Sequence, residues 1–183
     1  MSNEERFKES VAYINSRIGE TLKKVDEKDV EGAIKLFMRA NRIFVYGTGR
    51  SGLVGKAFAI RLVHLGFQTF VIGETITAPV QKDDLVVLIS GSGETIPVTM
   101  TAEIARRLGA KIISITANPD SHIARFADVI ISLSPGEKNP ELAPLGTLFE
   151  ASSWVFLDGL VAELMARKGE DEVKMRKRHA TLE

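Results

Sequence analysis

Five short apolar runs, each rich in β-branched residues, constrain this chain more than any other feature. They occupy residues 43–46, 69–72, 85–89, 111–115 and 128–131. None alternates cleanly between apolar and polar positions, which is the pattern of strands covered on both faces, as in a parallel sheet. Between them the apolar spacing lengthens to the helical period, over about 52–65, about 95–108 and a short piece near 121–126, and a last long helix covers about 148–168. Strand and helix alternating through short connections specify an α/β fold, a doubly wound five-stranded parallel sheet flanked by helices.

Ahead of the first run, Phe7, Val11, Ile14, Ile18, Leu22 and Val25 recur at helical spacing. A second set, Val30, Ala33, Ile34, Phe37 and Met38, follows Asp29, which is placed to cap it. Gly66, Gly109 and Gly169 each stand where a helix should end, in the position that favours a left-handed residue. Pro140 and Pro144 break the stretch before the last helix. No repeat or linker divides the chain, so 1–183 reads as one domain: a helical lead-in over 1–40, an α/β core over 41–168 and a charged C-terminal arm over 169–183.

Composition removes several functional classes. Lys plus Arg and Asp plus Glu number 24 each, so there is no basic field to collect nucleic acid. Cysteine is absent, which excludes disulfides, zinc-thiolate sites and cysteine nucleophiles. No apolar stretch approaches the roughly 18 to 20 residues a membrane span requires. The opening Met1-Ser-Asn-Glu-Glu-Arg6 is polar and acidic, unlike a secretory signal, so the expected location is the cytoplasm.

The chemistry sits in two turns. Gly47-Thr-Gly-Arg-Ser-Gly52 follows the first strand and opens a helix, where glycine permits close backbone approach and the helix start offers free N–H groups to an anion. The same stretch fits the dinucleotide pattern Gly-x-Gly-x-x-Gly, a weak signal by itself. Ser90-Gly-Ser-Gly-Glu-Thr95 follows the third strand, with three hydroxyls and two glycines in six residues. If strands one and three are neighbours, their helices leave on opposite faces and a crevice opens between the two turns. One such turn is often structural, since Gly and Ser are ordinary turn and cap residues. Two, one βαβ unit apart, point to a phosphate site.

That pairing, Gly-x-Gly-x-Ser after strand one and Ser-x-Ser-Gly-x-Thr after strand three, resembles the sugar isomerase (SIS) domain. Gly47-Thr-Gly-Arg-Ser-Gly-Leu-Val54, Arg61-Leu-Val-His-Leu-Gly-Phe67, Pro144-Leu-Gly-Thr-Leu-Phe-Glu150 and Arg178-His-Ala-Thr-Leu-Glu183 resemble, more narrowly, the 6-phospho-3-hexuloisomerase branch. The resemblance implies interconversion of D-arabino-3-hexulose 6-phosphate and fructose 6-phosphate through a cis-enediol, with no metal and no cofactor. It further implies a homo-oligomer, a tetramer, and a functional link to hexulose phosphate synthase in formaldehyde fixation or ribulose 5-phosphate synthesis. Ser51, Ser90, Ser92 and Thr95 then take the phosphate, with Gly49, Gly91 and Arg50 completing the substrate contacts. Glu150 is the implied base, and His179, with His64 second, the implied acid/base for ring opening.

Each candidate has a plainer reading. Thr147-Leu-Phe-Glu150 spells a capping box, with Thr147 as N-cap. His64 stands in the last turn of a helix, where the dipole favours a cation. His179 lies in the basic run Lys174-Met-Arg-Lys-Arg-His179 and by itself reads as a solvated face. His122 looks structural, Glu94 is expected to turn away and cap the helix after it, and Trp154 suits core or a subunit interface. Two rivals remain open. A phosphosugar-sensing regulatory module would keep both turns without needing Glu150. A nicotinamide-dependent oxidoreductase would use Glu74, 22 residues past Gly52, for a ribose.

Overall fold

The computed structural model describes residues 3–182; the first two residues of the lead-in and Glu183 of the arm lie outside the described residues. The five apolar runs form one parallel sheet from β1 (Ile43–Gly47), β2 (Thr69–Val71), β3 (Leu85–Ile89), β4 (Lys111–Thr116) and β5 (Val129–Ser132). Its strand order is β2-β1-β3-β4-β5. The helices are α1 (Asn3–Leu22), α2 (Glu27–Arg39), α3 (Gly49–His64), α4 (Ile96–Arg107), α5 (His122–Phe126), α6 (Thr147–Arg167) and α7 (Glu172–Lys177).

Alternate side chains along each strand enter opposite layers. Ile43, Val45, Val87 and Ile89 pack with residues of α2, α3 and α6, whereas Phe44, Val86, Leu88 and Ile112 pack with residues of α4 and α5. Every residue of β3 is fully buried, which is why its sequence shows no polar alternation. Each such side chain gains about 1.5–3 kcal/mol by leaving water, so the central strand anchors both layers.

The topology also places the two turns. β1 pairs with β3 in the register Ile43–Leu85 through Gly47–Ile89, so both strands end at one level, side by side. Their following helices, α3 and α4, leave for opposite layers. That divergence opens the crevice at the switch point of the strand order.

Local details depart from the sequence pattern in two places. Asp26, not Asp29, caps α2, its side chain accepting from Lys28 N–H at 2.8 Å. The helix starts earlier than the apolar spacing suggests because Glu27 and Lys28 are themselves good helix formers. α3 starts at Gly49 rather than near 52, since the glycine-rich turn winds directly into the first helical turn and Gly52 N–H donates to Thr48 O at 3.2 Å. Gly66, Gly109 and Gly169 do close α3, α4 and α6, with φ of 79°, 81° and 63°. Among the described residues no helix is long and apolar enough to cross a membrane.

Candidate active site

The first turn closes because two of its glycines have no side chain. A Cβ on Gly52 would lie 2.6 Å from Gly47 O, and one on Gly47 would lie 2.9 Å from Ile89 O. The turn therefore lies against the end of β3 and presents Arg50 and Ser51 in the first turn of α3. Gly49, at φ 56°, is exposed and open around its Cα.

The second turn is braced from behind. Ser90 is buried; its Oγ accepts Gly93 N–H at 3.1 Å and shares a hydrogen bond with Thr95 Oγ1, also at 3.1 Å. Gly91 O accepts from Ala117 N–H (3.0 Å) of the connection after β4, and Gly93 O from Ile123 N–H (3.2 Å) of α5. Those two carbonyls are taken up behind the loop, and the Gly93 and Glu94 amides are taken up within it, which leaves the hydroxyl protons as donors the loop can offer an anion. Ser92 is exposed, with Oγ accepting Glu94 N–H at 3.2 Å. Gly93, at φ 69°, passes so close to Ser121 that a Cβ would fall 2.0 Å from Ser121 Oγ. Glu94 does turn away, but caps α5 rather than α4: its Oε1 accepts His122 N–H at 2.8 Å. The connection after β4 lies directly behind the loop, so that amide is within reach of the carboxylate. His122 completes this brace through Nε2 and Glu103 Oε1 at 3.0 Å.

Glu150 arrives from a third direction. Phe149 packs on Gly91, where a Cβ would stand 3.1 Å from the ring, and this fixes the start of α6 against the second turn. The capping box does not form. Gly146 occupies the N-cap position, Thr147 is the first helical residue, and its Oγ1 donates to Pro144 O at 2.6 Å. The Glu150 carboxylate instead receives Arg50 Nε in a charge-assisted hydrogen bond. The Glu150 side chain is 13% exposed and that of Arg50 69%, so the acid sits at the crevice wall under a solvated cation. A cavity of about 380 Å³, lined by Arg50, Leu53, Thr147, Glu150 and Trp154, opens beside the pair.

The histidines assemble elsewhere. His64 ends α3, about 21 Å along the helix axis from Arg50 at 1.5 Å per residue. His64 is buried, and the exposed His179 ring stacks on it, centroids 5.0 Å apart and planes 28° apart. Both line a second cavity of about 250 Å³ with Arg61, Asp158 and Trp154. Trp154 is 47% exposed and lines both cavities, so it is not a core residue. Within one chain, then, Arg50 and Glu150 line one cavity, at the end of the sheet where the two turns carry Ser51, Ser90, Ser92 and Thr95, while His64 and His179 stand together at the far end of α3.

Several supporting residues escaped the sequence reading. Thr116 and Ser121 back the second turn, and the polar turn Asn118-Pro-Asp-Ser121 at the end of β4 was the available signal, since strand ends line the site in such sheets. Arg178, part of the C-terminal stretch that carries the resemblance, ties down the arm through Glu170, a pairing that nothing local to either residue announces. Among the described residues no three His, Asp or Glu side chains converge in a metal-binding group.

Comparison with known proteins gives a consistent picture. The SIS domain model matches residues 36–153. A Bacillus subtilis protein named 3-hexulose-6-phosphate isomerase is 35% identical over 181 residues, 96% of this chain and 98% of that one. A solved structure from Methanococcus jannaschii, whose molecular function was inferred as 3-hexulose-6-phosphate isomerase, superimposes at a TM-score of 0.87 with 38% identity, covering 96% of this chain and 99% of that one. The sugar isomerase domain of a transcription factor from Sphaerobacter thermophilus shares the fold at a TM-score of 0.71 and 20% identity, over 95% of this chain and 93% of that one.

Proposed function

Because the chain belongs to the SIS domain family, in the branch of the 3-hexulose-6-phosphate isomerases, we propose that it interconverts D-arabino-3-hexulose 6-phosphate and fructose 6-phosphate. The observation that carries this reading is the Glu150 carboxylate, standing at the crevice wall beside two anion-gripping turns. The transcription-factor domain shares this fold, which by itself does not specify a reaction; in the proposed mechanism Glu150 supplies the base that isomerisation needs.

The sugar's phosphate binds to Ser51, Ser90, Ser92 and Thr95 and to the amides at the starts of α3 and α4. Glu150 then takes the proton from C2 of the open-chain 3-ketose, giving an enediol spanning C2 and C3, and returns it to C3 while the hydroxyl proton passes from O2 to O3. The charge that develops on the enediol oxygens needs a nearby cation, and Arg50 is next to Glu150. Arg50 therefore exchanges its partner: the carboxylate in the free enzyme, the anionic substrate in the complex.

Ring opening of fructose 6-phosphate calls for an acid/base, the role given to His179 with His64 beside it. The length of α3 keeps them from the Glu150 of their own chain, so the pair serves the crevice of a second copy. Leu53, Ile60, Trp154 and Val155 are all large, exposed and apolar, and they lie between the two ends of α3. A two-fold axis through that surface and across α3 superimposes one copy's histidine end on the other's Glu150 end. A homo-oligomer built on this pair, a tetramer, is part of the proposal, as is supply of the 3-ketose by a hexulose phosphate synthase.

Glu150→Gln is expected to lower turnover by about 10²–10⁴-fold while fructose 6-phosphate binding, followed by calorimetry, persists. Near-normal turnover in that variant would overturn the assignment.

A further inference from the structure

His179 lies two residues beyond the end of α7, exposed, and its Nδ1 meets the carbonyl of its own neighbour, Ala180 O, at 3.2 Å. A ring so placed has rotamer freedom to lose, yet it lies flat on His64. The fixing comes from the residue before it. Arg178 Nη1 donates to His64 O at 2.9 Å and to Glu170 Oε2 at 2.8 Å, and Nη2 donates to Glu170 Oε1 at 3.1 Å. The planar guanidinium thus grips a carboxylate with both amino groups while holding the carbonyl of the very residue on which His179 stacks.

Each partner of that grip is itself fixed. Glu170 N–H donates to Met165 O at 3.0 Å, closing the turn at Gly169, and Asp171 caps α7 by accepting Lys174 N–H at 2.8 Å. Met175 packs against the main core, so α7 is seated on the body of the protein. Gly66 leaves the space the guanidinium fills, since a Cβ there would stand 3.3 Å from Arg178 Cζ. The Arg178 guanidinium holds the Glu170 carboxyl below the usual carboxylate range, against the opposing effect of desolvation, and Glu170 raises Arg178 in return.

We infer that Arg178, clamped by Glu170 to the His64 carbonyl, is a positioning residue that sets the His179 imidazole on His64 and so presents the pair to the substrate. This rests on the reading that His179 acts in the reaction. The Arg178 and Glu170 side chains are 38% and 13% exposed and paired through two nitrogens, so their loss also lowers stability; a purely structural Arg178 would lower Tm without moving the His179 ring or the kcat of the folded enzyme.

The test compares Arg178→Ala, Arg178→Lys, His179→Ala and the double variant Arg178→Ala/His179→Ala, with Arg176→Ala as a control from the same arm. His179→Ala is expected to lower kcat about 100-fold. Arg178→Ala should reproduce most of that loss with KM within about twofold, the double variant should fall no further than His179→Ala, and lysine should recover part of the rate, because it cannot grip the carboxylate with two nitrogens. The ring-proton resonances of His179, shifted by stacking on His64, should move to solvent-exposed positions in Arg178→Ala and Arg178→Lys, partially in the latter, and stay in place in Arg176→Ala. Wild-type kcat in Arg178→Ala beside an impaired His179→Ala would overturn the inference, as would unmoved resonances. Wild-type kcat in His179→Ala would sink the underlying reading instead, and the resonances would still decide whether Arg178 positions the ring.

Discussion

Two arginine–carboxylate pairs in this molecule share one chemistry and differ in what their loss does. Asp84 is 1% exposed and accepts from Arg42 Nη2 at 2.7 Å, Arg42 Nε at 3.1 Å and Gln81 N–H at 2.7 Å. Truncating it strands a partly buried guanidinium and an amide, so Asp84→Ala should cost about 3–5 kcal/mol and lower Tm by roughly 10 °C, read by calorimetry. Arg50 over Glu150 is largely solvated, and Arg50→Ala should change stability by no more than about 1 kcal/mol while damaging turnover. A Tm loss in Arg50→Ala equal to that in Asp84→Ala would mean the Arg50–Glu150 pair is structural. The freedom of Arg50 to leave its carboxylate is what the proposed partner exchange requires.

At the scale of elements, the proposed phosphate grip depends on a loop held from behind. Gly93 has a left-handed φ and no room for a Cβ beside Ser121. Gly93→Ala should therefore shift the loop and raise KM for the sugar phosphate tenfold or more, each decade being about 1.4 kcal/mol of binding. Adding Ser121→Gly should recover part of that loss; an unchanged KM in Gly93→Ala would remove the loop from the binding site. The strands and their order along the chain were legible because β-branched runs buried on both faces leave an unmistakable pattern, and the glycines after α3, α4 and α6 marked their ends. Contacts between distant segments were not. Glu150 meets Arg50 from 100 residues away, and the local motif around Thr147 pointed to a capping box that Gly146 and Pro144 pre-empt. Glu94 likewise caps a helix that starts 28 residues on, a choice set by how the connection after β4 folds back.

For the whole molecule the question is how two groups of residues at opposite ends of α3 would serve the one proposed reaction. The proposed two-fold pair answers it and has a direct assay. Glu150→Gln and His179→Ala are each impaired, but in a mixed pair one of the two crevices receives a native Glu150 from one copy and a native His179 from the other. Unfolding and refolding the two variants together should restore about a quarter of the native sites, and activity no greater than the sum of the separate variants would rule the arrangement out. Trp154→Arg should weaken association, seen as a smaller particle by sedimentation, with loss of turnover.

α3 carries Arg50 and Ser51 at its start and the His64 ring at its end, and under the proposed mechanism its length becomes a catalytic dimension. Inserting one residue in its middle would advance one end by 1.5 Å and swing it by about 100° relative to the other, taking either the cation or the imidazole out of line. Between 73 and 80, where Ile76 is almost wholly exposed, an added residue displaces nothing of the kind. Insertions and deletions among descendants of this fold should accordingly collect in such connections and avoid α3, even though much of the helix surface faces outward.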